Sequence, residues 1–169
     1  MKICRITLLS ILSSLCIISC SENNVDYKSN DIAIIYTNDI HCEIKNGMLS
    51  FASLKSYKNE LEKQYKYVSL VDSGDAIEGS VYGTMSKGEI VTKAMNLVGF
   101  DVCAIGNHEF NYGTDRLKEL ISMSNATYIN SNIIYSGTKD NWIENLPKYK
   151  IISYGDVKIG YLGITTPNA

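Results

Sequence analysis

Five residues of this chain could do chemistry together. Asp39 and His41 follow the apolar run Ile32-Ala33-Ile34-Ile35-Tyr36, and Asp75 follows Tyr67-Val68-Ser69-Leu70-Val71 by way of Asp72-Ser73-Gly74. Asn107 and His108 follow the run Val102 to Ile105 and Gly106. Carboxylate oxygen, imidazole nitrogen and amide oxygen are the donors that hard and borderline divalent cations take. Two residues apart, Asp39 and His41 leave an extended backbone on the same side, so both reach one ion. Asp75 lies in a glycine-flanked loop that can turn a carboxylate inward, and a carboxylate there is the natural bridge between two cations. Such a pair can clamp the attacking and leaving oxygens of a phosphate ester and supply hydroxide near neutral pH. His108 neighbours a ligand without needing to be one. An imidazole there can stabilise charge on a phosphoryl group or protonate a leaving oxygen. Singly, each residue has a plainer reading as a helix cap, turn former or loop histidine. Together they include both histidines of the chain, each directly after a predicted strand. Cys42, next to His41, is a further soft donor, but the carboxylate and imidazole ligands around it need no thiolate.

The elements that must position these residues alternate. Strands are predicted at Ile32–Tyr36, Tyr67–Val71, Asp101–Ile105 and Thr127–Asn130. Between them a helix is expected over Met48–Tyr65, where Phe51, Leu54, Tyr57, Leu61 and Tyr65 recur every three or four residues. A second helix is expected over Glu89–Val98 with Gly99 as its stop, and a third after Gly113 with Thr114 as its N-cap. Asp72–Lys87 reads as one long loop and Asn141–Pro147 as irregular. Lys55, Lys58, Glu60, Glu62 and Lys63 read as a solvated helix face. Lys148–Ser153 and Val157–Thr165 flank Gly155-Asp156, a hairpin turn. This alternation argues for an α/β fold, a mainly parallel sheet flanked by helices. Open sheets of that kind place ligands outside the carboxyl ends of their strands, where all five residues fall.

The chain has 169 residues, room for about one domain. A net charge of -2 gives no basic footprint for a nucleic-acid polymer, and none is expected as a partner. Residues 1–19 are different material: Lys2 and Arg5, an apolar stretch from Ile6 to Ile18, then Ser19-Cys20. That is a secretory signal pattern, too short for an ordinary spanning helix. Ile17-Ile18-Ser19-Cys20 also resembles a bacterial lipobox, which implies lipidation at Cys20, a polar tether through Asn30 and an exported lipoprotein held on a membrane. A plain signal peptide and an uncleaved anchor are the alternatives. After processing, Cys42 and Cys103 would be the remaining cysteines; Cys103 lies in an apolar strand and reads as a small core residue.

Thr37-Asn38-Asp39-Ile40-His41, Asp72-Ser73-Gly74-Asp75 and Gly106-Asn107-His108-Glu109 resemble, in order and spacing, the first three blocks of the calcineurin-like metallophosphoesterases. Within them the likeness is to the secreted 5′-nucleotidase and 2′,3′-cyclic-nucleotide phosphodiesterase group. Gly74 to Ser80 and Tyr161 to Pro167 fit the same group, so the resemblance covers nearly all of residues 31–167. It implies a partial metallophosphoesterase sandwich that hydrolyses nucleotide phosphate esters with two divalent ions, of which Mn, Zn, Mg and Fe are all compatible with these ligands. Asp39 and His41 would bind the first ion, Asp75 would bridge, Asn107 would bind the second, and His108 would be the catalytic histidine. Many nucleotidases of the group orient that histidine with an aspartate three residues on. Here the position is Asn111, closer to the cyclic-phosphodiesterase branch. The family also draws later histidine ligands from a Gly-His-x-His block, and no histidine follows His108 here. The expectation is therefore that residues 31–169 form the N-terminal part of a catalytic domain, feeble by itself and with exposed sheet edges. A non-catalytic surface lipoprotein and a truncated gene product are the competing readings.

Overall fold

The computed structural model describes residues 27, 29–43, 50–134 and 141–167. The expected signal segment, Cys20 and most of the expected tether lie outside the described residues. Strands β1 (Ser29–Thr37), β2 (Tyr65–Asp72), β3 (Val102–Ala104) and β4 (Thr127–Ile129) form one sheet in the order β1-β2-β3-β4, parallel throughout. Helices α1 (Phe51–Glu62), α2 (Val81–Ser86), α3 (Glu89–Val98) and α4 (Thr114–Met123) lie between or beyond these strands in the chain. The hairpin is present as β5 (Tyr149–Tyr154) and β6 (Val157–Leu162), paired antiparallel.

Side chains alternate between the two faces of a strand. The register places Ile35 beside Leu70, Thr37 beside Asp72, and Cys103 beside Tyr128, all on one face. That face meets the helices: Phe51 and Leu54 of α1, Val91, Met95 and Val98 of α3, and Leu117 and Leu120 of α4 join Leu70, Cys103 and Tyr128 in one buried cluster. Each such side chain contributes about 1.5–3 kcal/mol by leaving water. Tyr67 is on the opposite face, where its ring meets Tyr154 of the hairpin edge-on at 5.9 Å. The hairpin is also tied to the end of β4, with Asn130 N donating to Pro147 O at 2.9 Å and Ser131 N to Gly163 O at 2.9 Å. Ile34 and Tyr36 of β1 and Leu162 and Ile164 at the hairpin remain exposed.

Three sequence expectations change. Asp72–Lys87 is not one loop: Ser80 caps α2 within it. Gly113, not Thr114, occupies the N-cap of α4, and no side chain caps that helix. Lys58 is not solvated. It is buried, and its ammonium donates to Gly99 O at 2.5 Å, while Lys55 donates to Val98 O at 3.2 Å. Two α1 cations thus satisfy the last carbonyls of α3, where the helix dipole favours positive charge.

Candidate metal centre

Past the end of β1 the backbone does not stay extended. Asp39, His41 and Cys42 adopt left-handed φ of 51°, 47° and 56°, and Asp75 does so at 59°. The same-side argument for Asp39 and His41 therefore does not apply, yet the side chains still meet, with His41 Nε2 3.7 Å from Asp39 Oδ1. A backbone ladder holds the turn. Asp39 N donates to Gly74 O at 3.1 Å, His41 N to Asp75 O at 2.9 Å, and Cys42 N to Ala76 O at 2.9 Å. Pairing between β1 and β2 thus continues into their loops and presents Asp39, His41 and Asp75 side by side.

The loop after β3 is brought in by close packing. A Cβ on Gly106 would strike the Asp75 carboxylate and would lie 2.8 Å from its amide nitrogen, so only glycine fits there. His108 N donates to Asp75 Oδ1 at 2.8 Å. One hydrogen-bonding atom of each of His41, Asp75 and His108 lies within 4.8 Å of the others, and all three residues are half-buried. The imidazoles meet edge-on with centroids 4.9 Å apart. Asp39 touches this cluster through His41. Asn107 lies in the connection between Gly106 and His108, at the head of a single 3-10 turn over His108–Phe110. Asn111 follows that turn, its amide nitrogen 3.0 Å from His108 Nδ1.

The donor set suits a divalent cation: two imidazoles and a carboxylate converge, with a second carboxylate alongside. Cys42 does not join it. The thiol is fully buried against Gly83, outside the group formed by His41, Asp75 and His108, and burial together with the nearby Glu78 and Glu109 carboxylates pushes it up to about 12. Neither Cys42 nor Cys103 is in a disulfide.

Three acids shape the site that the sequence reading left without a role. Glu109 is buried beneath it. One carboxylate oxygen accepts from Asp75 N and Gly106 N, both at 2.7 Å; the other accepts from Ala76 N at 2.8 Å and Ile77 N at 3.4 Å. The Glu109 side chain therefore pins the β2 loop to the β3 loop. Burial raises its pKa, and the backbone donors only partly counter this. Asp72 is buried at the end of β2, accepting from the Thr37 hydroxyl at 2.6 Å and from Gly74 N at 3.0 Å. Burial holds its carboxyl up to about 7. Glu78 reaches both histidines. Its carboxylate lies 3.9 Å from His41 Nδ1 and 3.5 Å from His108 Nδ1, and its carbonyl oxygen is 3.2 Å from His41 Nδ1. Glu109 and Glu78 both lie inside stretches that carry the family resemblance, Gly106 to Glu109 and Gly74 to Ser80, but residue type and spacing alone gave neither a role.

No protein-family model matches the chain. The snake venom 5′-nucleotidase of Gloydius brevicauda is 32% identical over 162 residues, covering 87% of this chain and 27% of that protein. The 2′,3′-cyclic-nucleotide 2′-phosphodiesterase/3′-nucleotidase of Yersinia enterocolitica is 32% identical over 94% of this chain and 28% of its own length. Among solved structures, the calcineurin-like phosphoesterase YfkN of Bacillus subtilis superposes with a TM-score of 0.65 at 25% identity, covering 80% of this chain and 48% of that one. The sequence relatives are thus nucleotidases, and the structural neighbours are calcineurin-like phosphoesterases. It spans about a quarter of the length of the curated relatives it matches. The parallel sheet and flanking helices are those of a calcineurin-like phosphoesterase domain, and the His/Asp cluster sits at the strand ends of that domain.

Proposed function

We propose that this chain supplies the first metal-binding blocks of a phosphoesterase that hydrolyses nucleotide phosphate esters. The observation that carries the reading is the convergence of His41, Asp75 and His108 within 4.8 Å at three strand ends of a domain whose relatives are nucleotidases. In this proposal Asp39 and His41 hold a first divalent ion, Asp75 bridges, and Asn107 reaches a second. Bound cations would polarise the phosphoryl group and lower the pKa of water. His108 keeps its Nε2 edge for the phosphate oxygens or the leaving group, since its Nδ1 edge is occupied by Asn111 and Glu78. Asp75 Oδ1 accepts the His108 amide, which ties the bridging carboxylate to the backbone that carries the catalytic imidazole.

A second substrate reading has its own support. Asn111 places a neutral amide, not a carboxylate, on His108, and one relative is named as a cyclic-nucleotide phosphodiesterase. The ester is thus either a nucleoside monophosphate or a 2′,3′-cyclic phosphate. Export and Cys20 lipidation belong to the same proposal; the signal pattern ending in Ser19-Cys20 supports both, and a relative named as a venom protein supports export alone. Among the described residues, no helix is long and apolar enough to cross a membrane.

Calorimetric titration of the full chain with Mn²⁺ tests the metal centre, and phosphate release from AMP and 2′,3′-cyclic AMP tests the activity. Binding that is lost in Asp75→Asn is expected, with little hydrolysis by this chain alone. No binding would remove the metal reading, and robust hydrolysis would show that residues 31–169 need no further ligand blocks.

A further inference from the structure

We propose that Glu78 is a positioning residue that sets the proton on both imidazoles, through its carbonyl on His41 and through its carboxylate on His108. A neutral imidazole has one donor and one acceptor nitrogen, and its neighbours decide which is which. His41 Nδ1 lies 3.2 Å from the Glu78 carbonyl oxygen, which can only accept. Two Glu78 oxygens lie at Nδ1, the carbonyl at 3.2 Å and the carboxylate at 3.9 Å, against one Asp39 oxygen 3.7 Å from Nε2, so the closer acceptor takes the His41 proton on Nδ1 and leaves the lone pair on Nε2. That is the nitrogen a cation would take.

His108 has two neighbours at Nδ1. The Asn111 amide lies 3.0 Å away and fits either proton position, because an amide can present nitrogen or, turned over, oxygen. The Glu78 carboxylate lies 3.5 Å away and fits only one, because it has no proton to offer. With the lone pair on Nδ1, that lone pair would face a carboxylate oxygen. With the proton on Nδ1, the Asn111 carbonyl oxygen accepts from it and the negative Glu78 carboxylate, 3.5 Å away, stabilises it electrostatically. The balance favours Nδ1–H, with the Asn111 amide turned to match and Nε2 left as the basic nitrogen facing the site. Asn111 alone cannot impose this choice; the carboxylate that imposes it comes from the β2 loop. The loop that carries Glu78 is itself fixed to His41: a Cβ on Gly79 would lie 2.7 Å from both the His41 Cβ and its carbonyl oxygen.

The assignment bears on the phosphoesterase reading, where it makes His108 Nε2 the group presented to phosphate, but its test does not depend on that reading. The chain has two histidines, so long-range ¹H–¹⁵N correlation of the full chain shows two imidazole patterns. At a pH where both rings are neutral, and without metal, both are expected as Nδ1–H. Glu78→Gln retains the carbonyl and removes the carboxylate, so His41 should keep its pattern while His108 moves to a mixture or to Nε2–H. Adding Asn111→Asp to Glu78→Gln restores an acceptor-only neighbour and should return His108 to Nδ1–H. If Glu78→Gln disturbs the fold, His41 loses its pattern too. Glu78→Asp, which withdraws the carboxylate by one methylene, should then shift His108 alone. His108 found as Nε2–H in the unaltered chain, or unchanged when the Glu78 carboxylate is removed or withdrawn, would overturn the proposal. Failure of the chain to bind Mn²⁺ would leave this result standing and would count against the metal-centre reading only.

Discussion

Removing the Glu109 carboxylate should loosen two site loops at once. Its oxygens accept four backbone amides, three of them at 2.7–2.8 Å: Asp75, Gly106 and Ala76, with Ile77 at 3.4 Å. Hydrogen bonds to a charged group contribute about 1.5–3 kcal/mol each, and a buried donor left unpaired costs about 1–3 kcal/mol. Against this stands the burial of the carboxylate itself, which raises its pKa. The net for Glu109→Ala is roughly 3–5 kcal/mol, the range seen when one partner of a buried charged contact is removed. Glu109→Gln keeps one acceptor oxygen but points an NH₂ at two donors, so it should cost nearly as much, about 2–4 kcal/mol. For a domain stable by about 5–15 kcal/mol either loss is severe. Urea unfolding gives the total. Amide hydrogen exchange locates it: protection at Asp75, Ala76 and Gly106 should fall by at least tenfold more than at Leu117 or Leu120 in α4. A cost below about 1 kcal/mol, or unchanged protection at Asp75 and Gly106, would show that the ladder and close packing hold the loops without Glu109.

Other outcomes follow from single contacts. The Asp72 carboxyl, held up to about 7 by burial, binds its proton more tightly folded than unfolded. Its stability contribution is complete below about pH 4 and is lost as pH rises through 7, a total on the order of 4 kcal/mol; Asp72→Asn should flatten that slope in urea midpoints taken from pH 4 to 8. Gly106→Ala should displace Asp75, cost about 1–3 kcal/mol by overpacking and weaken Mn²⁺ binding in calorimetry more than it lowers the melting temperature of a Mn²⁺-free sample. Lys58→Met keeps the apolar stem but leaves the Gly99 carbonyl unpaired, and should cost about 1–3 kcal/mol in urea unfolding.

Helix α3 was legible to the residue because its apolar stripe and Gly99 are local signals, and its observed bounds are Glu89–Val98. The parallel sheet was legible from apolar runs separated by helical patterns. Helix α2 was not, because its six residues lie in a glycine-rich stretch. Gly83, which reads as a helix breaker, is there to clear the Cys42 side chain, a contact made 41 positions away in sequence. Asp39 and His41 were expected to meet on an extended backbone that does not exist; a left-handed turn, whose amides donate to carbonyls of the β2 loop, brings them together instead. Glu78, Glu109 and Lys58 act across 30 to 41 residues of chain. A charged residue buried by a tertiary partner looks, in sequence, like any solvated one.

The left-handed residues at the site carry a consequence for how this protein can change. Asp39, His41, Cys42 and Asp75 are each in a conformation that costs an ordinary residue about 1 kcal/mol or more, and glycine would adopt it freely. Three of the four are the donors on which the metal reading rests. Selection for thermal stability alone should therefore find glycine at the three donor positions, where no buried apolar side chain is lost, gaining stability while erasing the site. The cheapest route to a sturdier fold leads away from chemistry. Improved variants should gain their stability elsewhere, at exposed helix positions and at the uncapped start of α4.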